Sequence, residues 1–375
     1  MATILFVTVD AGGNTPPALA IAAALQACGN RILFLGHPQQ QNRIIDAGFE
    51  FRGFSSVRPW NRTERSSSAR VVSDFVYAAT SKQMAQDFLD MAREERVDLT
   101  VVDCMLLSVV KAAASIPVPS AVLFHTFYAY WDGGWARGPV SRLAQLRGLN
   151  ARAIWKTADL EIVASDPALD PGSASATARR IWTGITEPAA SDEHLGGERP
   201  KILVSLSTTW FPGQVDVYRR IVAALSNLPF DAIVTTGGMA TAQQLAPPAN
   251  VSVVPFADHA AILPTVDLVV SHGGHSTTMK AVANGVPCLV IPMHPLMDQP
   301  MVGASIQDAG LGLTLKKSSG RAAIGAAIAS IVGDSRFRTT AVEAARRQRE
   351  TGGRGIAADS LMRLLDSRAS SPSLG

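Results

Sequence analysis

The sequence predicts an α/β protein built from two doubly wound domains that face each other across a cleft. Three observations carry that reading. Short apolar, β-rich runs alternate with helical stretches along nearly the whole chain. A polar stretch, TEPAASDEHLGGERP from Thr186 to Pro200, interrupts the alternation with two prolines and two glycines, and the same order then restarts. In both halves the apolar runs end in Gly, Ser or Asp turns, which is where open α/β sheets bind ligands. The expected organisation is an N-terminal domain over 1–185, a linker over 186–200 and a C-terminal domain over 201–353. A last helix and frayed tail fill 354–375, with the N-terminal domain as the helix's expected partner.

The elements follow in order. Thr3 to Val9 is an apolar run too short for a helix and reads as a central strand. Pro16 and Pro17 suit the first turn of the helix that continues over Ala18 to Cys28, and Gly29 stops it. Arg31 to Gly36 is a second strand, and Gln40 to Ala47 a helix stopped by Gly48. Arg52 to Arg70 is rich in Arg and Ser without a clean period, and reads as a long loop. Val71 to Arg93 returns to helix. Leu99 to Val102 is a strand ending in Asp103, with Met105 to Ser115 as its helix; Ser120 to Phe124 is a strand ending in His125. Ser141 to Thr157 is helical, Leu160 to Ala164 a strand, and Asp166 to Arg180 a loop. After the linker, strands are expected at Lys201 to Ser207, Ala232 to Thr236, Val251 to Val254 and Leu268 to Val270, and helices at Gln214 to Leu225, Arg321 to Val332, Thr339 to Glu350 and Gly355 to Asp366.

Composition narrows the class. The 375 residues, 47% hydrophobic and 17% charged, are enough for large cores. A net charge of +3 leaves no nucleic-acid footprint. Cys28, Cys104 and Cys288 sit in apolar or helical contexts and read as buried thiols of a cytoplasmic protein. The opening MATILFVTVDAGG has no basic leader and runs straight into a strand, so no signal peptide is expected. No apolar run is long enough for a membrane span.

One stretch carries the chemistry, Leu268 to Gln299. The turn SHGGH at Ser271 to His275 lies between a strand end and a helix start, where the helix dipole and backbone N–H groups favour an anion such as a phosphate. Asp298 and Gln299 follow the next strand at the same sheet edge. A carboxylate beside a carboxamide suits sugar hydroxyls, since one accepts and the other both donates and accepts. A phosphate cradle next to a hydroxyl reader describes a nucleotide-sugar site.

The run HGGHSTTMKAVANGVPCLVIPMHPLMDQP resembles the donor signature of the family 1 nucleotide-sugar-dependent glycosyltransferases, and the branch it looks like is the bacterial one that decorates natural products. The resemblance spans nearly the whole chain and implies the two-domain GT-B fold. It implies that His272 contacts the donor's diphosphate and that Gly274, Ser276 and Thr277 complete the cradle. Asp298 and Gln299 match the pair that reads the sugar. Phe256 falls where the family has an aromatic against the nucleotide base, and His259 where it often has Gln. Ser207 and Thr208 are expected to face the same donor. The resemblance implies a metal-independent, inverting reaction without a cofactor: the helix N-terminus already supplies positive potential, and no Asp-X-Asp ligand motif lies near the site.

The first half departs from the family pattern. Most members carry a Gly-His pair after the first strand, and that histidine is the general base; here the pair is Gly13-Asn14, and an amide takes no proton near neutral pH. Asp103 matches the dyad's second member and is the expected base, with Asn14 orienting the acceptor. His125, whose side-chain type titrates near working pH, and Asp10 are the other candidates. Phe127, Tyr128, Trp131 and Trp135 form either an apolar wall for a flat acceptor or ordinary packing. The expected activity is sugar transfer from a TDP- or UDP-sugar to a hydrophobic, aromatic or polyketide-like acceptor. The alternatives are a non-catalytic nucleotide-sugar-binding helper or sensor and, more remotely, a nucleotide-sugar epimerase. Monomer and homodimer remain equally open.

Overall fold

The computed structural model describes residues 1–58, 63–187 and 195–369. Part of the expected linker, part of the Arg/Ser segment and the tail from 370 lie outside them. The described chain divides into two compact units. The first holds 1–58, 66–187 and 351–369, and the second holds 63–65 and 195–350.

The first unit is a seven-stranded sheet of β1 (Thr3–Val7), β2 (Arg31–Gly36), β3 (Glu50–Gly53), β4 (Leu99–Asp103), β5 (Ser120–Phe124), β6 (Leu160–Val163) and β7 (Arg180–Trp182). Its order is β3-β2-β1-β4-β5-β6-β7, and every neighbouring pair is parallel. The order reverses between β1 and β4, the switch point at which such sheets bind ligands. Ile4, Leu5, Phe6 and Val7 are all fully buried, because a central parallel strand is covered on both faces. The helix Thr15–Ala27 opens with Pro16 and Pro17 in its first turn, as expected. The last helix, Gly353–Ala369, packs on Thr15–Ala27 and puts Ala357, Ala358 and Leu361 into this unit's core. Gly353 admits that approach: a Cβ there would overlap the carbonyl of Ile185.

The second unit repeats the plan. Its strands are β8 (Lys201–Ser205), β9 (Asp231–Thr235), β10 (Val251–Val254), β11 (Leu268–Ser271), β12 (Cys288–Val290) and β13 (Gly312–Thr314), in the order β10-β9-β8-β11-β12-β13 and all parallel. Counted from its own first strand this is 3-2-1-4-5-6, the doubly wound order again. Its switch point lies between β8 and β11. A separate core of Val204, Val217, Ile221, Val270, Leu289 and Ile328, among others, fills it.

Several sequence expectations change. Val71 to Arg93 is two helices, Ser68–Thr80 and Lys82–Glu94, because Ser81 is extended and its hydroxyl caps the second by accepting from the Met84 N–H at 3.2 Å. The Arg/Ser segment gives Arg52 and Gly53 to β3, where Arg52 is ion-paired with Glu94 (2.7 Å) and Glu95 (3.2 Å). The loop at Asp166 to Arg180 ends in β7, whose Arg180 bonds the buried Glu161 of β6. Cys28 is exposed, not buried.

Candidate functional site

In the second unit the residues singled out in the sequence gather at the carboxyl edge of the sheet around its switch point. β11 ends at Ser271, whose hydroxyl accepts from the Gly273 N–H at 3.1 Å and lies 3.2 Å from Thr278 Oγ1. This ties the turn to the helix His275–Ala283. Gly273 takes φ of +81°, open to glycine at no cost, and a Cβ there would lie 2.8 Å from the Gln299 carbonyl. A Cβ on Gly274 would run into the His272 ring, 2.6 Å from Nε2. The two glycines therefore leave room for the histidine and for nothing bulkier. His272 is half-buried, its buried Nδ1 has no hydrogen-bond partner, and its ring lies 6.1 Å from that of Phe211. Burial holds its pKa down at about 3, so the imidazole is neutral and its chemistry is that of a hydrogen-bonding group rather than a charge.

Gln299 is 3% exposed, and its Oε1 accepts from the Met293 and His294 N–H groups at 2.8 and 3.0 Å. The carboxamide oxygen is thus committed to shaping the loop after β12, which leaves the amide N–H groups for a ligand. Asp298 precedes it at the start of the helix Gln299–Asp308. Ser207 caps its own turn by accepting from the Thr209 N–H at 2.9 Å, and its carbonyl accepts from Gln214 Nε2 at 3.1 Å. Gly237, at φ +60°, packs against Ser207 and Thr208, where a Cβ would lie 2.9 Å from the Thr208 Cα. His259 Nε2 lies 3.3 Å from Thr235 Oγ1, and burial lowers its pKa with help from Lys280. Phe256 is 68% exposed, an uncovered aromatic ring beside this edge. Sequence reasoning missed Lys317. Its ammonium donates to the carbonyls of Pro212 and, at 3.2 Å, Met293, joining the turn after β8 to the loop after β12. Lys317 follows β13, which was itself too short to read, so its place at this edge left no signal.

In the first unit β1 and β4 are adjacent, and their ends meet across the switch point. Asn14 is 1% exposed; its Nδ2 donates to Asp103 Oδ2 at 2.8 Å and to the Val9 carbonyl at 2.5 Å, while its Oδ1 accepts from the Ala11 N–H at 3.2 Å. The expectation that Asn14 orients the acceptor is redirected by this geometry, because the amide is spent inside the fold. Asp103 is 4% exposed, and its Oδ1 accepts from the Met105 N–H at 2.9 Å. His125 Nδ1 lies 3.4 Å from Asp103 Oδ2. Cys104 joins the pair closely enough that ligand atoms of all three fall within 4.8 Å of one another. Burial, with the charge of Asp103, pushes the Cys104 thiol well up, and a protonated thiol is a weak metal ligand. Asp10 is mostly buried, and its N–H donates to His37 Nδ1 at 3.2 Å.

The aromatic run is packing rather than an open wall. Phe127, Tyr128, Trp131 and Trp135 are between 0% and 7% exposed. Trp131 stacks edge-on with Trp135 (5.4 Å) and with His125 (5.0 Å), and Tyr128 lies under the Arg180 guanidinium at 3.9 Å. Asp170 clamps the segment by accepting from the Tyr128 N–H at 2.6 Å and from Trp182 Nε1 at 2.7 Å. A cavity of about 590 Å³ lies instead between the helices Ser68–Thr80 and Pro139–Leu146. Val72, Val76, Tyr77 and Leu146 give it an apolar lining, with Arg58 and Arg147 beside them. That volume is in the range of small-molecule sites.

The buried histidines set an acid limit. The pKa of His37 is held at about 4 and that of His272 at about 3, both chiefly by burial, against 6.5 for an ordinary imidazole. The unfolded chain takes up protons near 6.5 and the folded one only near 4 and 3, so stability falls as pH drops through that window. Each histidine contributes a slope of at most about 1.4 kcal/mol per pH unit. The melting temperature is expected to decline between pH 6.5 and 5, before ordinary carboxylates titrate, and His37→Asn is expected to make that decline shallower. A flat melting temperature from pH 7 to 5 would contradict it.

Comparison with known proteins identifies the fold. The chain has the GT-B fold of the glycosyltransferases. It superposes on the calicheamicin glycosyltransferase CalG4 with a TM-score of 0.79, over 99% of this chain and 100% of that one, at 21% identity. It superposes on the glycosyltransferase VinC in complex with DTDP with a TM-score of 0.73, over 97% and 100%, at 16% identity. More narrowly, residues 219–351 match the family described as erythromycin biosynthesis protein CIII-like, C-terminal domain. Demethyllactenocin mycarosyltransferase of Streptomyces fradiae is 35% identical over 182 residues, which is 46% of this chain and 37% of that enzyme's length. Among the described residues no helix is long and apolar enough to cross a membrane.

Proposed function

We propose that this chain is a cytoplasmic, inverting glycosyltransferase that moves a sugar from a TDP- or UDP-sugar to a hydrophobic, hydroxylated natural-product acceptor, without a metal or other cofactor. The observation that carries the reading is the turn His272–Gly274. It sets a neutral imidazole with an unpartnered buried nitrogen beside a helix N-terminus, one loop from the anchored Gln299 amide. In the reaction the acceptor oxygen bonds to the anomeric carbon as the carbon–phosphate oxygen bond breaks. The electrons leave on the nucleotide diphosphate, and the acceptor's proton passes to a base. His272 and the helix N-terminus stabilise the growing phosphate charge. Ser276, Thr277 and the Ser207–Thr208 turn complete the cradle, Phe256 stacks on the base, and His259 lies beside it. The acceptor takes the cavity flanked by Tyr77 and Leu146, in place of the buried aromatics. That VinC was solved with DTDP supports a thymidine donor.

The sugar reader gives the test. Asp298→Ala is expected to leave binding of free TDP or UDP within about twofold and to weaken the intact nucleotide sugar by about tenfold, the loss of a hydrogen bond to a charged group. Calorimetry on both ligands checks it. Equal weakening of the two would assign Asp298 a structural role and remove the sugar-reading site. A binding-only helper remains the second reading, favoured by the absence of a proton acceptor at Asn14.

A further inference from the structure

The residue at position 14 supplies no base, so the transfer reading above, on which this inference rests, requires one elsewhere. We propose that His125 takes the acceptor's proton, with Asp103 and Asn14 as the residues that position it.

The placement follows from strand register. β4 and β5 are parallel neighbours with Asp103 opposite Leu123. His125 lies two residues beyond Leu123, so it points to the same side of the sheet and reaches back to Asp103. Accessibility falls in the order His125 (12%), Asp103 (4%) and Asn14 (1%). Asp103 is the inner member, and both its oxygens are engaged: Oδ1 by the Met105 N–H, Oδ2 by the Asn14 amide and by the approach of His125. Taking an acceptor proton would cost it those bonds.

His125 is built for the task. Its Nδ1 is buried with no hydrogen-bond partner, so the one group positioned to receive that N–H is Asp103 Oδ2 at 3.4 Å. The open fraction of the ring therefore lies away from Nδ1. A proton held on Nδ1 leaves the lone pair on Nε2, which is the base-to-orienter logic of a dyad. The Trp131 edge at 5.0 Å fixes the ring plane. Asn14 supplies Asp103 with an N–H and keeps it aimed. In the step itself the acceptor O–H proton moves to Nε2, the oxygen lone pair forms the bond to the anomeric carbon, and the diphosphate departs with the electrons. The resulting imidazolium is held by Asp103 until it gives its proton to water.

The test uses a series of phenolic acceptors of graded acidity with one nucleotide sugar. His125→Ala and the bulkier His125→Gln are both expected to bind donor normally by calorimetry and to lose about 10²–10⁴ in kcat on the least acidic acceptor, the usual worth of general-base catalysis. The loss should shrink steadily toward nitrophenols, which ionise unaided, and added imidazole should restore part of the His125→Ala rate. Wild-type-like kcat in both variants overturns the assignment. So does an equal loss across the series without imidazole rescue, which marks a structural role. Wild-type protein that turns over no acceptor overturns the transfer reading and the base with it.

Discussion

Asp103→Asn is expected to lower kcat by about 10²–10⁴ while donor affinity stays near wild type, because the exchange removes the charge beside the proposed base and spares the second unit. Asp103 is the centre of a three-way junction. It accepts from Asn14 at 2.8 Å and from the Met105 N–H at 2.9 Å, and it faces His125 at 3.4 Å. A carboxylate serves all three from two acceptor oxygens, whereas an amide has one. Whichever way the substituted amide turns, its NH₂ meets another N–H, a conflict worth about 1–3 kcal/mol of stability. Some loss of melting temperature is therefore expected beside the loss of kcat. Asn14→Ala is expected to do the reverse, with the larger share in stability. It removes three buried hydrogen bonds, to Asp103, the Val9 carbonyl and the Ala11 N–H, but leaves Asp103 charged beside His125. Single-turnover kinetics with thermal denaturation on both variants separates the two patterns. An Asp103→Asn protein with wild-type kcat would remove the dyad from the mechanism.

The second large effect belongs to the donor turn. His272→Ala is expected to cost about 10²–10³ in kcat/KM, the usual worth of one donor aimed at developing negative charge. Donor affinity should fall too, since the contact exists before and during reaction. Gly274→Ala is expected to share the phenotype without touching the histidine. The added Cβ would lie 2.6 Å from His272 Nε2 and closer still to Cε1, so the ring must leave its place. Agreement between the two variants identifies the ring's position, rather than its mere presence, as what binds phosphate. Near-native kinetics in His272→Ala would refute the donor-site assignment.

The parts of the fold that sequence makes plain are those with a strong local cause. β1, β4, β5, β8 and β11 are buried on both faces, so they appear as unbroken apolar runs with a turn residue at the end. The strands that escaped notice, β3, β7 and β13, are sheet edges of three or four residues. β3 alternates exposed and half-buried positions. β7 carries an arginine that finds its glutamate only after folding. Such strands are held by their neighbours, not by their own composition. The same division holds at the site. The glycines of the turn after β11 declare themselves because its backbone needs them, Gly273 at φ +81° and Gly274 against the His272 ring. Lys317 does not, since its task is to bridge two carbonyls from distant loops. The aromatic run at Phe127 to Trp135 shows the limit from the other side. Composition alone cannot tell a ligand wall from a core, and Asp170, forty-odd residues away, decides it by pinning the Tyr128 N–H.

Turnover separates a glycosyltransferase from a binder of nucleotide sugars, and one measurement addresses it directly. Wild-type protein is incubated with a panel of TDP- and UDP-sugars and hydrophobic hydroxylated acceptors. Mass spectrometry reads the acceptor, and released nucleotide diphosphate is counted beside it. The predicted result is an acceptor heavier by one sugar residue, with one nucleotide diphosphate freed per product, and strong slowing by both His272→Ala and Asp103→Asn. Donor binding across the panel with no glycosylated acceptor and no diphosphate release would contradict it and make the chain a binder of nucleotide sugars.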